Sequence, residues 1–346
     1  MASAIAYKNI QGERKEDVFR VVNGVLELAN WKNYIQGKSV FVKINLMSNQ
    51  VVPGQCTSPW IVESIIKVLK ENKFYVVVGD ADVATQRQVE ESARKWGIFD
   101  ICSRYGVRFV NLSEEKTETV DINGKVLKSV DVPKILLDCD KIITVPVLKT
   151  HNVTKMTCAL KHQWSCIPRF RHQYHTVTDH VIPEVNKAVN VDFAFVDASI
   201  CMEGNGPRVG KPKIVNALFA SNDLVAVDAF AADFIGFNHK EIGYIINAEK
   251  MGLGSAKYKV VGDEVKKVKF EPAKIEQHPI VYLEMKLRKI PGLRGVLFNT
   301  PIFKIPAWVA SKYNSVWYYN LKGKEYAREL INNNALYRNE FGDLIK

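Results

Sequence analysis

Ser39-Val-Phe-Val-Lys-Ile-Asn-Leu46, Thr57-Ser-Pro59 and Phe74-Tyr-Val-Val-Val-Gly79 read, in that order, as a strand, a helix start and a second strand. The first run is nearly all apolar, as a strand covered on both faces should be. Ser58 suits an N-cap and Pro59 the first helical position. Trp60, Val62, Ile65, Ile66 and Leu69 then recur at helical spacing as far as about Asn72. A helix over roughly Gln88 to Tyr105 and a strand from Arg108 to Leu112 come next. Strands alternating with helices predict a parallel sheet with right-handed crossovers.

Upstream, Val18, Phe19, Val22, Val25, Leu26 and Leu28 predict a helix over 16–30. Downstream, residues 118–137 alternate around Asn123-Gly124, a strong hairpin signal. Lys141 to Leu148 reads as a strand returning to the sheet, and 192–200 as another buried one. A strand at 213–220, helices at 223–235 and 240–251, and a strand at 258–262 complete the pattern. The expected fold class is α/β: a parallel, Rossmann- or flavodoxin-like sheet with a second α/β lobe. The expected division is an N-terminal lobe at 1–140, a second lobe at 141–262 and a C-terminal extension at 263–346.

The 346 residues are 47% hydrophobic and 25% charged, which matches an ordinary globular chain. The net charge is +11, and residues 281–346 carry eleven Lys and Arg against five Asp and Glu. Such an excess favours anionic partners. With no Lys/Arg block, it points to a small anionic molecule and away from nucleic acid. The six cysteines form no C-x-x-C pair and read as reduced thiols. With no leader-like N-terminus and no uncharged apolar run of about 18 residues, a cytoplasmic protein without a transmembrane span is expected. In residues 280–320, Trp308, Trp317 and many aliphatic residues alternate with Lys286, Arg288, Lys289, Arg294, Lys304 and Lys312, and Pro291, Pro301 and Pro306 interrupt them. That stretch reads as a packing arm or homo-oligomer contact, or as a peripheral membrane patch.

Five of the seven histidines, His151, His162, His172, His175 and His180, follow the strand at 141–148. Lys149, Lys155 and Lys161 stand among them. Crowded amines depress one another's pKa, which makes lysine a base or nucleophile near neutrality. Histidine titrates there unaided. Lys43 and Asn45 break an apolar strand on one side and read as an ion pair or as an anion site. Asp80 and Asp82 end a strand, where they could meet a ligand or cap the next segment. In Glu203-Gly-Asn-Gly-Pro-Arg-Val-Gly210, Gly204 and Gly206 free the backbone to face an anion, with a tight structural turn as the alternative. Pro212 after Lys211 excludes a P-loop. Cys158 or Cys166 with His162 has no recognised zinc spacing, and the sequence leaves any metal unknown.

These words resemble, as a set, the family catalogued as domain of unknown function 362. They are Val42-Lys-Ile-Asn-Leu46, Thr57-Ser-Pro59, Val78-Gly-Asp80, Val145-Pro-Val-Leu-Lys-Thr-His151, Thr157-Cys-Ala-Leu-Lys161, His175, Met202-Glu-Gly-Asn-Gly-Pro207 and Asn222-Asp-Leu-Val-Ala-Val-Asp228. The resemblance covers about residues 38–254. It implies a fold and a site more than an activity. Many relatives have Asn where His162 stands. Many also carry a ferredoxin-like segment with closely spaced cysteines; this chain has none, so no iron–sulfur cluster is expected. A fainter likeness is to the lactate racemase family, whose nickel-pincer cofactor is tethered to lysine. That likeness would align His151, Lys161 and His175.

The expected site therefore combines Lys149, His151, Lys161 and His175 as catalytic groups with Lys43, Asn45, Asp80, Glu203, Gly204 and Gly206 as binding groups, in a cleft between lobes. The expected activity is acid–base or covalent lysine chemistry on a small anionic metabolite, of isomerase, lyase or transfer type. The alternatives are a non-catalytic ligand- or metal-binding accessory protein and a peripheral membrane protein.

Overall fold

The computed structural model describes residues 2–83, 87–274 and 312–345 and, singly, Tyr282, Lys286, Trp308 and Val309. Most of the proline-broken stretch at 280–320 thus lies outside the described residues. The strands are β1 (Ser3–Asn9), β2 (Ser39–Ile44), β3 (Tyr75–Asp80), β4 (Arg108–Asn111), β5 (Thr117–Asp121), β6 (Ser129–Pro133), β7 (Lys141–Val145), β8 (Val147–His151), β9 (Lys155–Thr157), β10 (Phe193–Glu203), β11 (Lys211–Ser221) and β12 (Tyr258–Gly262). The helices are α1 (Lys15–Leu28), α2 (Pro59–Glu71), α3 (Val89–Lys95), α4 (Ile98–Tyr105), α5 (Lys134–Asp138), α6 (Ala159–His162), α7 (Thr178–Val189), α8 (Leu224–Phe234), α9 (Gly243–Lys250), α10 (Lys324–Asn333) and α11 (Ala335–Phe341).

The main sheet runs β12-β1-β11-β10-β7-β2-β3-β4, with β8 and β9 attached through β10. From β10 through β7, β2 and β3 to β4 it is parallel, and β11 is antiparallel to both β10 and β1. This is the expected α/β class. The β5–β6 hairpin forms at Asn123, whose left-handed φ of 52° suits a turn. The expected boundary at 140/141 falls inside the sheet, because β7 hydrogen-bonds directly to β2. Both halves thus share one layer. Its two faces carry the two cores, since successive strand side chains alternate. Val40, Val42, Val76 and Val78 pack with α1 to α4, whereas Phe41, Val77 and Val110 belong to the core of α7, α8 and α9.

Three local readings shift. The single helix expected over 88–105 is two, because Gly97 takes a left-handed φ of 68° between α3 and α4. Pro146 has no N–H to give, and the chain leaves β7 there. It continues as β8, which pairs with β10 at Asp197↔Val147 and Met202↔Lys149. Ser58 stands at the α2 N-cap, but its side chain makes no capping bond. The Ser58 amide instead donates to Asp197 at 2.8 Å.

From β2 the chain moves to β3 and β4 on one side. It returns to β7 on the other side of β2 and continues towards β10. The order therefore reverses between β2 and β7, and ligands of open α/β sheets bind beyond the carboxyl ends of strands at such a point.

The end of the chain belongs to this body. Ala327, Ile331, Leu336, Tyr337 and Phe341 are buried in the α1–α4 core. Tyr337 packs edge-on to Trp60 with centroids 4.6 Å apart, and its hydroxyl lies 3.2 Å from Ser58 Oγ. Tyr337→Ala should therefore cost about 3–5 kcal/mol. Tyr337→Phe should cost only about 1 kcal/mol, the worth of one hydrogen bond. Urea denaturation of the two variants checks this; equal, small losses would show that the C-terminal helices do not brace α2.

Candidate active site

The carboxyl ends of β2, β3 and β8 deliver titratable side chains to one buried place. Lys43, fully buried on β2, meets Asp80 of β3 at 3.0 Å. Asp80 also accepts from the Leu46 amide at 2.8 Å and from Ser165 Oγ at 3.1 Å. Of the two readings of Lys43, the structure has the ion pair. Its charge is answered within the protein and forms a floor. Asn45 is held within the adjoining loop, its amide donating to the Gln55 carbonyl at 2.6 Å. Lys149, from β8, donates to that same carbonyl. Burial lowers the Lys149 amine to about 8, with Asp80 and Asp197 among the groups that pull it back up.

Above this floor stands α6, one helical turn carrying Lys161 and His162. Asp228 caps it, accepting from the Ala159 amide at 2.7 Å and the Leu160 amide at 3.3 Å. Burial raises the Asp228 carboxyl to about 7. Lys161 is 8% exposed, and its amine makes no hydrogen bond or ion pair with a described residue. Its neighbour is the Trp164 ring, 5.1 Å from Nζ. Burial, reinforced by the charge of Arg171, lowers this amine to about 7. No carboxylate offsets that shift.

His151 accepts at Nδ1 from the amides of Val153, at 3.0 Å, and Thr154, at 3.4 Å. That network assigns the neutral ring's proton to Nε2. Burial holds His151 well below the ordinary histidine range, and Lys161, His172 and Lys149 push it the same way. His162 is also kept neutral, by burial first and then by Lys43, Lys149 and Lys161. Thr144 Oγ1 accepts from Gln163 at 3.1 Å and lies 2.6 Å from His162 Nδ1. The other ring nitrogen of His162 is Nε2. That Nε2 lies towards the Ile44 carbonyl without a hydrogen bond of normal geometry. His175 stacks on Trp164 at 5.7 Å, with His172 4.3 Å beyond it.

The structure thus brings together Lys43, Asp80, Lys149, His151 and Lys161, with His175 reaching them across Trp164. Three expected binding groups are otherwise engaged. Glu203 pairs with Lys213 at 2.7 Å and accepts from the Glu271 amide at 3.0 Å. The Gly204 amide donates to the Glu271 carbonyl and the Gly206 amide to the Gly204 carbonyl, so neither faces an anion. Gly206 is needed for close packing, since a Cβ there would lie 2.3 Å from the Thr150 carbonyl oxygen. Asp82 caps α3, accepting from the Gln88 and Val89 amides. His180, next to Lys125 and Asn247, lies on α7 away from the cluster.

Sequence reading missed Arg171, Asp197 and Asp228 as parts of this neighbourhood. Asp228 left a signal, a carboxylate flanked by apolar residues on both sides in the middle of α8. Arg171 and Asp197 left none, because only the fold sets what surrounds them.

The sequence pattern of the family described as "Domain of unknown function (DUF362)" matches residues 40–233. The chain belongs to that family. It is 25% identical over 237 residues to a "Thylakoid-associated protein" of Synechocystis, a match covering 65% of this chain and 72% of that one. Among solved structures it is similar to the lactate racemase apoprotein of Thermoanaerobacterium thermosaccharolyticum, with a TM-score of 0.41 and 13% identity over 72% of this chain and 56% of that one. It is also similar to a protein of Thermotoga maritima, with a TM-score of 0.37 and 15% identity over 56% and 53% of the two chains. The chain thus spans little over half the length of those two structures. In this DUF362 chain the Lys161 amine has no acceptor among the described residues. Among the described residues, no three His, Cys, Asp or Glu side chains gather to hold a metal.

The buried amine makes stability depend on pH. The unfolded chain keeps a proton on this lysine up to about 10.5, whereas the folded one releases it near 7. Below about pH 7 both forms are protonated and the full cost of burying the charge is felt. Between about 7 and 10.5 the unfolded chain binds more protons, so stability rises with pH. Lys161→Met should be more stable than the wild type at pH 6 to 7, by on the order of a few kcal/mol, and lose that advantage by pH 10. Chemical denaturation at several pH values tests this; parallel pH profiles would show a solvated amine.

Proposed function

We propose that the protein is an enzyme that acts on a small anionic metabolite through Lys161, at the carboxyl ends of β2 and β7. One observation carries this reading: a buried lysine amine near neutrality with no acceptor and no carboxylate beside it. An amine held at about 7 has a substantial unprotonated fraction at physiological pH, which a base or nucleophile requires. One like charge, Arg171, acts on it. The groups acting on His151 are Lys161, His172 and Lys149, and the charges acting on His162 are Lys43, Lys149 and Lys161. A bound anion would be attracted by Lys149 and by the Arg171 guanidinium. His151 would present its Nε2–H to the reacting molecule as a proton donor. Trp164 and His175 would form the wall beside Lys161, and the Lys43–Asp80 pair and Lys149 would hold the floor.

The test is Lys161→Arg. Arginine keeps the charge but stays protonated, so it can neither attack a carbonyl nor take up a proton. Turnover, measured against a panel of small keto acids, hydroxy acids and phosphorylated metabolites, should fall at least 100-fold, with the fold intact by circular dichroism. Near-wild-type turnover in Lys161→Arg rules this role out.

A second reading concerns location. Trp317 and Leu321, one helical turn apart, are 65% and 63% exposed, with Lys322 and Lys324 beside them. Aromatic and aliphatic side chains beside lysines suit contact with an anionic lipid surface, each nearby cation contributing on the order of 1 kcal/mol. The name of the Synechocystis relative, a thylakoid-associated protein, agrees with this. No helix among the described residues is long and apolar enough to cross a membrane. The protein should float with anionic liposomes and not with neutral ones, and Trp317→Ser with Leu321→Ser should abolish flotation; sedimentation with either lipid absent from the floating fraction ends the reading.

A further inference from the structure

Arg208 is a second cation without a counter-charge among the described residues, half-buried and on a different element from Lys161. No carboxylate of a described residue lies within ion-pair distance of it. Its Nε is fully enclosed and makes no hydrogen bond. Its one side-chain hydrogen bond is long, 3.4 Å from Nη2 to Gln88 Oε1. Burial lowers even this guanidinium, to about 10. A half-buried guanidinium whose N–H groups have so few acceptors keeps donors available for an anion.

The residue is held firmly for a side chain with so little to bind. The Arg208 carbonyl accepts from Gln55 Nε2 at 2.6 Å. Gln55 is the residue whose own carbonyl takes the amine of Lys149 and the amide of Asn45. Two residues on, the Gly210 carbonyl accepts from the buried Tyr318 hydroxyl at 2.7 Å. Gln88 ties the far side, since its amide donates to Asp82 and its side-chain amide to the Met47 carbonyl at 2.7 Å. The Asp82 carbonyl in turn receives Arg171 at 2.6 Å. The backbone of Arg208 and the amine of Lys149 thus share one tie, Gln55, in a loop braced on three sides. The acceptor Gln55 Oε1, also enclosed and without a partner, belongs to the same neighbourhood.

We propose that Arg208 binds the carboxylate or phosphate group of the substrate, and that the glycine loop serves to deliver this side chain. Guanidinium presents parallel N–H groups that match two oxygens of such an anion, a fit that an ammonium cannot reproduce. The assignment rests on the reading of Lys161 as the reacting amine: Arg208 would hold the anionic end while Lys161 meets the rest of the molecule.

Thermal unfolding of the full chain provides the test, with inorganic phosphate and succinate as probes and sodium chloride at matched ionic strength as the control. The wild type should show a saturable rise in Tm with at least one probe. Arg208→Met should lose that rise while keeping, or exceeding, the wild-type Tm without anion, because an unanswered charge has been removed. Arg208→Lys should respond with a midpoint roughly tenfold higher, the loss of about one charge-assisted hydrogen bond. A rise in Arg208→Met or Arg208→Lys with the wild-type midpoint overturns the proposal, as does a wild type indifferent to both probes. Modification by fluorodinitrobenzene, mapped by mass spectrometry, judges Lys161 separately. Arg208→Met should label at Lys161 as the wild type does near pH 7, so failure of the anion site and failure of the lysine reading are told apart.

Discussion

The buried contact between Lys43 and Asp80 is the constraint on which the site depends. It joins the carboxyl ends of β2 and β3 at 3.0 Å, and the same carboxylate gathers the Leu46 amide and the Ser165 hydroxyl. One aspartate therefore ties two strands, the loop after β2 and the segment after α6. Removing a single partner of such a pair leaves an uncompensated buried charge, at about 3–5 kcal/mol. Replacing both by apolar groups would preserve packing but release the loop that carries Asn45 and Gln55. The pair thus fixes where Lys149 and His162 stand, and with them the field felt by the remaining groups.

That field is positive almost everywhere. Asp80 is matched to Lys43, Asp82 and Asp228 are spent as helix caps, and Asp197 holds the start of α2. Each carboxylate near the site has a structural task. Lys161 and Arg208 are left without one among the described residues, and burial first, then the nearby lysines, keeps His151 and His162 neutral. A protein that only needed a stable core would place apolar side chains here, because enclosing unpaired cations works against folding. Strain of this kind at the switch point of a parallel sheet is more consistent with a site for anions than with a packing feature.

The C-terminal segment changes in meaning between sequence and structure. As a string, its basic and aromatic residues suggest an appendage. In the fold, Tyr337 is wedged against Trp60 and Tyr318 holds the loop of Arg208, so part of that segment braces the site. Trp317 and Leu321 stay on the outside.

The sequence alone determined the alternation of strands and helices, because strand and helix periodicities are local properties. It also put Lys149 and His151 at one strand end, because they are two residues apart, with Lys161 ten residues beyond His151. Lys43 was legible as a buried cation for a related reason, a charge interrupting an apolar run. What that charge meets was not legible: Asp80 lies 37 residues away, and only pairing of β2 with β3 closes the distance. The same holds for Glu203, Gly204 and Gly206, whose hydrogen-bonding groups are taken by residues far along the chain. Arg208 was a plain member of a glycine-rich turn in the sequence. Its lack of a counter-charge depends on every element packed around it, and such an absence has no local signature.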